Sequence, residues 1–553
     1  MPGGPDASSR PPRGRWTAFA LPGAAAIVLL APIWGFPFFL TQDGPTHVEN
    51  AKILLDYNRP EFEELRVFYV LNLDLYPNWL SHLALAGLML VASPLFAEKL
   101  FLTAYVLLLP LAFRGALGAV RPEGAALWPL VLPFVYSHFF HLGFYNLAFA
   151  AIPFFFVLAF WLARDGRLGP REVAVLGGLL LFLYFCHLVT LLLATGALAV
   201  LAAAACFRDL GGKEPGTARR AAGRALALAA AAAPALVLVV RFLAGQRTER
   251  SEDGPGFAER WQDLWRLQEL ASHDPRELWL TSALGVLFLA VAAALLAGKV
   301  RDRRFGRGDG LLVVAAAFAV VYFLAPVTVL NSPGSTAGGG STHDRVGPYV
   351  FLALMLWLGA QDLGPRARRG LVAAFLAVAL GLLAVRLPRY AEMNGHLAEY
   401  LAGGSLVPRH STLLPVSFAH RGRRPDGSPV SWRVEAFLHA GAWLAVERDL
   451  VDFTNYEADL GYFPTLFRRE ANPYRWLRGG QETSPPCIDL DRYDRRGPRP
   501  LDAILVWAAA GADRRDPCVA AILGHLDARY ELVHTSAPRA LAQLYRRRPS
   551  TTD

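Results

Sequence analysis

The sequence predicts a polytopic α-helical membrane protein that ends in a soluble α/β domain. Hydrophobic residues make up 54% of the 553-residue chain and mean hydropathy is +0.31, whereas soluble domains are roughly 45–50% apolar. Apolar runs follow one another as far as residue 387. Residues 388–553 then change to an ordinary charged, turn-rich composition.

Residues 1–16 carry Arg10, Arg13 and Arg15 and precede an apolar run at 17–40. The run has the ~20 residues of a full span rather than the ~7–15 of a secretory h-region. Ala24-Ala25-Ala26 lies inside it rather than after it, so an uncleaved anchor is expected. Further apolar segments fall at 78–93, 97–119, 124–141, 143–162, 172–187, 188–206, 224–242, 276–298, 310–330, 347–361 and 370–387. Some are shorter than a span, as broken helices lining a cavity would be. About eleven to thirteen membrane helices are expected.

The net charge of +9 is carried by arginine; the only lysines are Lys52, Lys99, Lys213 and Lys299. Many of the arginines sit in short loops between apolar runs, where positive charge orients a membrane chain. A nucleic-acid partner is therefore rejected. The loops near 208–224, 299–307 and 366–369 read as cytoplasmic, as does the N-terminus. Regions 41–77, 243–275, 331–347 and the domain 388–553 then lie outside. Arg114, Arg121, Arg164, Arg167 and Arg171 also ask for the cytoplasmic side. Simple alternation through 78–206 cannot satisfy them all, so one segment there must be re-entrant, fused or misdrawn.

Two outer stretches have helical apolar spacing: Val48, Ala51, Leu54 and Leu55 within 46–57, and Phe257, Trp261, Leu264 and Trp265 within 257–270. Both read as amphipathic helices along the membrane interface; a tryptophan belt is the plain alternative for the second. The glycine-rich stretch Asn331–Gly347 reads as a loop ending in Thr342-His343-Asp344-Arg345, a lid or a simple connector. In the tail, Glu435–Asp449 has helical period, Leu501–Trp507 reads as a buried strand, and Pro517 can open a helix to Ala528. Tyr530–His534 and Leu541–Arg546 read as a strand pair. Cys487 and Cys518 could pair in an oxidising compartment or stay as separate thiols. The tail has no nucleotide-binding glycine loop and no metal-ligand spacing.

Chemistry concentrates in Thr41-Gln42-Asp43-Gly44-Pro45-Thr46-His47-Val48-Glu49-Asn50, at the mouth of the first apolar run. Ionisable groups near a membrane are costly and usually face a cavity. Asp43, before a Gly-Pro turn, could be a general base, or ligate a cation with His47 and Glu49 nearby. It could equally cap a turn, and Thr46 with Glu49 could form a capping box. The second cluster is Tyr136–Asn146, where His138 and His141 would share a helix face, to bind a ligand or to hydrogen-bond between helices. His187 lies between two apolar runs and needs a cavity or partner. Arg345 could clamp a phosphate.

An acidic motif opening the first outer loop, interfacial helices, many spans and an outer soluble domain together resemble the GT-C superfamily of integral-membrane glycosyltransferases. Asp43 stands where that family's catalytic aspartate would, although Gly44 follows where many relatives carry a second acid. The resemblance implies a GT-C-like fold over 17–387. It also implies transfer of a sugar from a polyprenyl-phosphate donor to an acceptor hydroxyl on a glycan, lipid or protein. The expected setting is the outer face of a bacterial-type inner membrane, with the tail extracytoplasmic. Asp43 would deprotonate the acceptor; His47, Glu49, His138, His141, Asn146, His187 and Arg345 would bind substrate, with His187 where relatives often carry lysine. No nucleotide site is needed, because the lipid carrier brings an activated sugar; a divalent cation is left open as a cofactor, on Asp43 and His47 if anywhere. The rival readings are a flippase for a lipid-linked glycan and a non-catalytic membrane scaffold.

Overall fold

The computed structural model describes residues 22–211, 216–246, 254–326 and 342–549. The N-terminal arginines and most of the glycine-rich stretch expected as a loop lie outside these residues. Among the described residues, seven helices are long and apolar enough to cross a membrane: Pro94–Val120, Tyr145–Arg164, Leu188–Asp209, Thr217–Ala244, Glu277–Asp302, Arg307–Leu324 and one starting at Pro365. Tyr145–Arg164 is central, with 72% of its most apolar window buried; Glu277–Asp302 is peripheral, at 28%. Apolar side chains such as Leu111, Val240 and Val286 point outward, as they must on a surface that meets lipid.

Several apolar runs are not single α-helices, which separates seven long helices from the larger number of segments read in the sequence. The first helix stops at Trp34 rather than continuing to 40; Pro37 follows. The 124–141 run is a 3-10 helix over Pro122–Phe134 followed by the short helix His138–His141. Pro129 and Pro133 lie inside the first part, and proline removes the amide donor that an α-helix needs there. Thr342-His343-Asp344-Arg345 is the start of the helix Thr342–Gly359, not the end of a loop.

The arginine conflict resolves in space. Arg167, Arg208, Arg224 and Arg307 all gather around Asp165. Arg121 pairs with Asp362, and Gly308 packs against Ala360. Residues 121, 164–167, 208, 224, 303–308 and 360–369 therefore share one end of the bundle. The segment 78–93 is the exception to alternation. Its helix, Leu80–Met89, is ten residues long, about 15 Å. It starts beside Asn146, whose Oδ1 accepts from the Ser81 amide. The next helix starts near Glu98, which accepts from Tyr145. Residues 78–93 thus leave from and return to the Asp43 end, re-entrant in the sense that the segment does not cross the bundle.

The helix Pro365–Leu401 runs 37 residues without a break, carrying the last apolar run into the tail. There a five-stranded sheet sets Val451–Asp452, Thr412–Ser417, Ala503–Trp507, Ala542–Arg547 and Tyr530–Thr535 side by side in that order. The strands are β2 (Thr412–Ser417), β3 (Val451–Asp452), β5 (Ala503–Trp507), β6 (Tyr530–Thr535) and β7 (Ala542–Arg547). β2 is parallel to β3 and β5, while β7 is antiparallel to β5 and β6. All five residues of β5 are buried, as its unbroken apolar run requires. The helix Pro517–Arg529 and the β6–β7 pair match the sequence reading, and Cys487 and Cys518 form a disulfide. The stretch expected as a helix over 435–449 is helical only at Ala442–Arg448, after Gly441. Gly441 must be glycine because a Cβ there would lie 2.2 Å from Pro415.

The first outer loop belongs structurally to the tail. β1 (Tyr69–Leu71) pairs antiparallel with β4 (Thr465–Phe467). Ile53, Phe62, Leu65 and Phe68 share a core with Val416, Phe453 and Ile504. The helix Gly44–Asp56, expected along an interface with one polar face, is buried on both faces. Its polar residues Glu49 and Asn50 are covered by tail residues rather than by water.

Candidate functional site

The helix Gly44–Asp56 starts with Pro45 in its first turn, where its missing amide costs nothing. Asp43 occupies the preceding position but its side chain makes no capping hydrogen bond. Thr46 does not cap the helix either, and its hydroxyl has no partner among the described residues. The Asp43 carboxylate is thus not committed to local backbone.

The second polar cluster holds this turn in place. The amides of Gln42 and Asp43 donate to the carbonyls of His141 and Leu142 at 3.1 and 3.0 Å. Gly143, at φ +80°, closes that turn; a Cβ on it would come within 2.5 Å of the Gly44 nitrogen. A Cβ on Gly44 would lie 2.1 Å from Thr41 Oγ1 and 2.3 Å from the Tyr145 hydroxyl. Both glycines permit a backbone approach that no other residue allows.

Asp43 lines a cavity of about 220 Å³ between the bundle and the tail. Gln42 Nε2 donates to its Oδ1 at 3.1 Å, and Tyr456 also hydrogen-bonds to it. Burial pushes Asp43 up to about 8, against the pull of the Tyr456 and Gln42 bonds and with help from Glu457 and Glu482. The imidazole of His439 is 3.7 Å away. Burial holds His439 down to about 3, so it is neutral and this approach is not an ion pair. Glu482, raised by burial, accepts from Tyr474 at 2.6 Å.

Of the residues singled out in the sequence, Asp43, His47, Asn146, His187 and Arg345 line this one cavity. Arg345 lies with its guanidinium 5.0 Å over the Phe144 ring, and its Nε has no hydrogen-bond partner among the described residues. It also lines an apolar groove between the helices, with Tyr105, Phe139, Leu147 and Leu352. The remaining three residues lie elsewhere. His141 is spent between helices, on Ser272 Oγ at 3.0 Å and the Tyr390 hydroxyl at 2.7 Å. His138 is buried away from the cavity, with Nδ1 unpartnered. Glu49 is raised well above the ordinary carboxylate range by burial and by Asp452.

Among the described residues, Asp43 belongs to no metal-ligand cluster. The set found among the described residues is His47, His82 and Glu457. Sequence reading missed His82 and the tail residues His439, Tyr456, Glu457 and Glu482. Only His82 left a signal: like His187, it is an ionisable group in an apolar run.

The chain matches no family model and no curated protein, so the site's chemistry has to be read from its own geometry.

Proposed function

We propose that this multi-pass membrane protein transfers a sugar from a polyprenyl-phosphate-linked donor to an acceptor hydroxyl. The supporting observation is the position of Arg345. It borders both the polar cavity that contains Asp43 and the apolar groove between the helices. A lipid phosphate has that double character: an anion for the guanidinium and a hydrocarbon chain for the groove. In the reaction, Asp43 takes the proton from the acceptor hydroxyl, and the acceptor oxygen attacks the anomeric carbon. The bond from that carbon to the phosphate oxygen breaks with inversion, and polyprenyl phosphate leaves beside Arg345. A buried carboxyl titrating near 8 is a stronger base than an ordinary aspartate. Hydrogen bonds from Tyr456 and Gln42 orient it.

We place the cavity on the outer face of a bacterial-type inner membrane, opposite the arginine-rich loops. The Cys487–Cys518 disulfide supports an oxidising surrounding for the tail. The test is turnover by the purified chain supplied with polyprenyl-phosphate sugars and hydroxyl acceptors. Transfer by wild type and its loss in Asp43→Asn are expected. Equal transfer by Asp43→Asn would remove Asp43 from the mechanism. Movement of the lipid between leaflets of liposomes without transfer would make the protein a flippase.

A further inference from the structure

Beside the cavity, three side chains from distant parts of the chain meet. His47 comes from the helix Gly44–Asp56, His82 from the re-entrant helix and Glu457 from the tail turn Tyr456–Asp459. One ligand atom from each lies within 4.8 Å of the other two. The side chains are 4%, 0% and 0% exposed.

The outer hydrogen bonds decide which atoms face inward. His47 Nε2 is 3.0 Å from the Gly143 carbonyl oxygen, which can only accept, so Nε2 carries a proton. In the neutral ring the Nδ1 lone pair then faces Glu457 Oε1 at 2.9 Å and His82 Nε2 at 3.3 Å. His82 Nδ1 similarly lies 3.3 Å from the Asn78 carbonyl oxygen, which turns the Nε2 lone pair towards Glu457 Oε2 at 2.8 Å. Two lone pairs and a carboxylate therefore converge. Apart from the approach of His47 Nδ1, Glu457 Oε1 has no hydrogen-bond partner among the described residues.

Such a set needs positive charge at its centre. The nitrogen–nitrogen separation suits a small transition-metal ion. A tetrahedral zinc site with bonds of about 2.0–2.1 Å has ligand-to-ligand edges of about 3.3–3.4 Å, and the two nitrogens stand 3.3 Å apart; the carboxylate oxygens, at 2.9 and 2.8 Å from them, have to draw back by about half an ångström to match those edges. The surroundings fit as well. Each imidazole can donate its second N–H to a backbone carbonyl, and Asn50 Nδ2 steadies Glu457 Oε2 at 2.8 Å. Metal-binding histidines and carboxylates are typically held this way.

We propose that His47, His82 and Glu457 bind a divalent transition-metal ion of zinc type. The ion joins the first outer helix, the re-entrant helix and the tail, and so positions His47 and Tyr456 at the cavity wall.

The test uses the full chain in detergent with a tag free of histidine, supplied with zinc and then washed with a weak chelator. Elemental analysis should find about one zinc per chain. Cobalt substitution should give the visible absorption of a tetrahedral site. His82→Ala and Glu457→Gln should each lower bound metal about tenfold or more, and Asp43→Asn should not. Glu457→Gln keeps the packing volume, so lost metal with an unchanged elution profile is not misfolding. A strong chelator should lower the melting temperature of wild type and leave Glu457→Gln unmoved. Wild type without metal above background, or unchanged metal in both ligand variants, would overturn the proposal and leave protonated imidazole as the source of charge.

Discussion

Asn50 and Asn455 exchange a pair of hydrogen bonds: Asn50 Nδ2 donates to Asn455 Oδ1 at 3.1 Å, and Asn455 Nδ2 donates to Asn50 Oδ1 at 3.0 Å. Both residues are buried, and they are 405 positions apart. This amide pair fastens the first outer helix to the tail. Asn50→Ala should destabilise the fold by about 1–3 kcal/mol, because Asn455 and Glu457 each lose a buried hydrogen bond to it. Asn455→Ala should cost a similar amount, and the double variant clearly less than the sum. Unfolding of the four proteins in detergent measures this; strict additivity would mean that the pair does not couple.

Asp43→Asn should separate stability from activity. The unfolded carboxyl titrates at about 3.9, whereas burial pushes it to about 8 in the folded chain. Between those values the folded protein holds a proton that the unfolded chain has released, so stability falls as pH rises through this window. The melting temperature of Asp43→Asn relative to wild type should therefore grow from pH 4 towards 8 and level off above. Wild-type kcat/KM should rise over the upper part of the same range, since the base acts as a carboxylate. A stability difference that does not change with pH would place the Asp43 titration outside the window.

Arg345→Ala should raise KM for a polyprenyl-phosphate donor about tenfold to a hundredfold, as expected when a charged hydrogen-bonding partner is lost. Arg345→Lys should recover part of that, since lysine keeps the charge but not the planar fork. If only the acceptor KM moved, Arg345 would belong to the acceptor half of the cavity.

Gly143→Ala tests the backbone that supports Asp43. The position has φ +80° and no room for a Cβ against Gly44. Holding alanine there should cost about 1–3 kcal/mol in strain, with further loss from displacing the Asp43 turn. Thermal unfolding and turnover should both fall, and an unchanged melting temperature would show that the turn can open without cost.

The disulfide tests sidedness. On intact cells, an impermeant maleimide should label Cys487 and Cys518 only after reduction, because they are paired. The buried Cys186 should stay unlabelled. Labelling of the tail only after the cells are permeabilised would put the tail inside.

Much of the framework was legible in the sequence because it depends on local patterning. Apolar runs marked the bundle, the run ending at Trp507 marked β5, Pro517 marked a helix start, and the stretches Tyr530–His534 and Leu541–Arg546 marked β6 and β7. Asp43 stood out because a charged group beside a span is costly unless it has a use. The re-entrant Leu80–Met89 was signalled only as a conflict among arginines, since its identity depends on where both of its ends pack.

By itself, the sequence determined a helical membrane-type bundle, a following α/β region and an acidic turn at their junction. Only the tertiary structure decided what that turn faces. Asp43 meets Tyr456, and His47 meets His82 and Glu457, because the first outer loop folds into the tail through β1 and β4. Periodicity reports which residues share one face of one element. Residues hundreds of positions apart have no shared period, so their convergence appears only when the chain is packed.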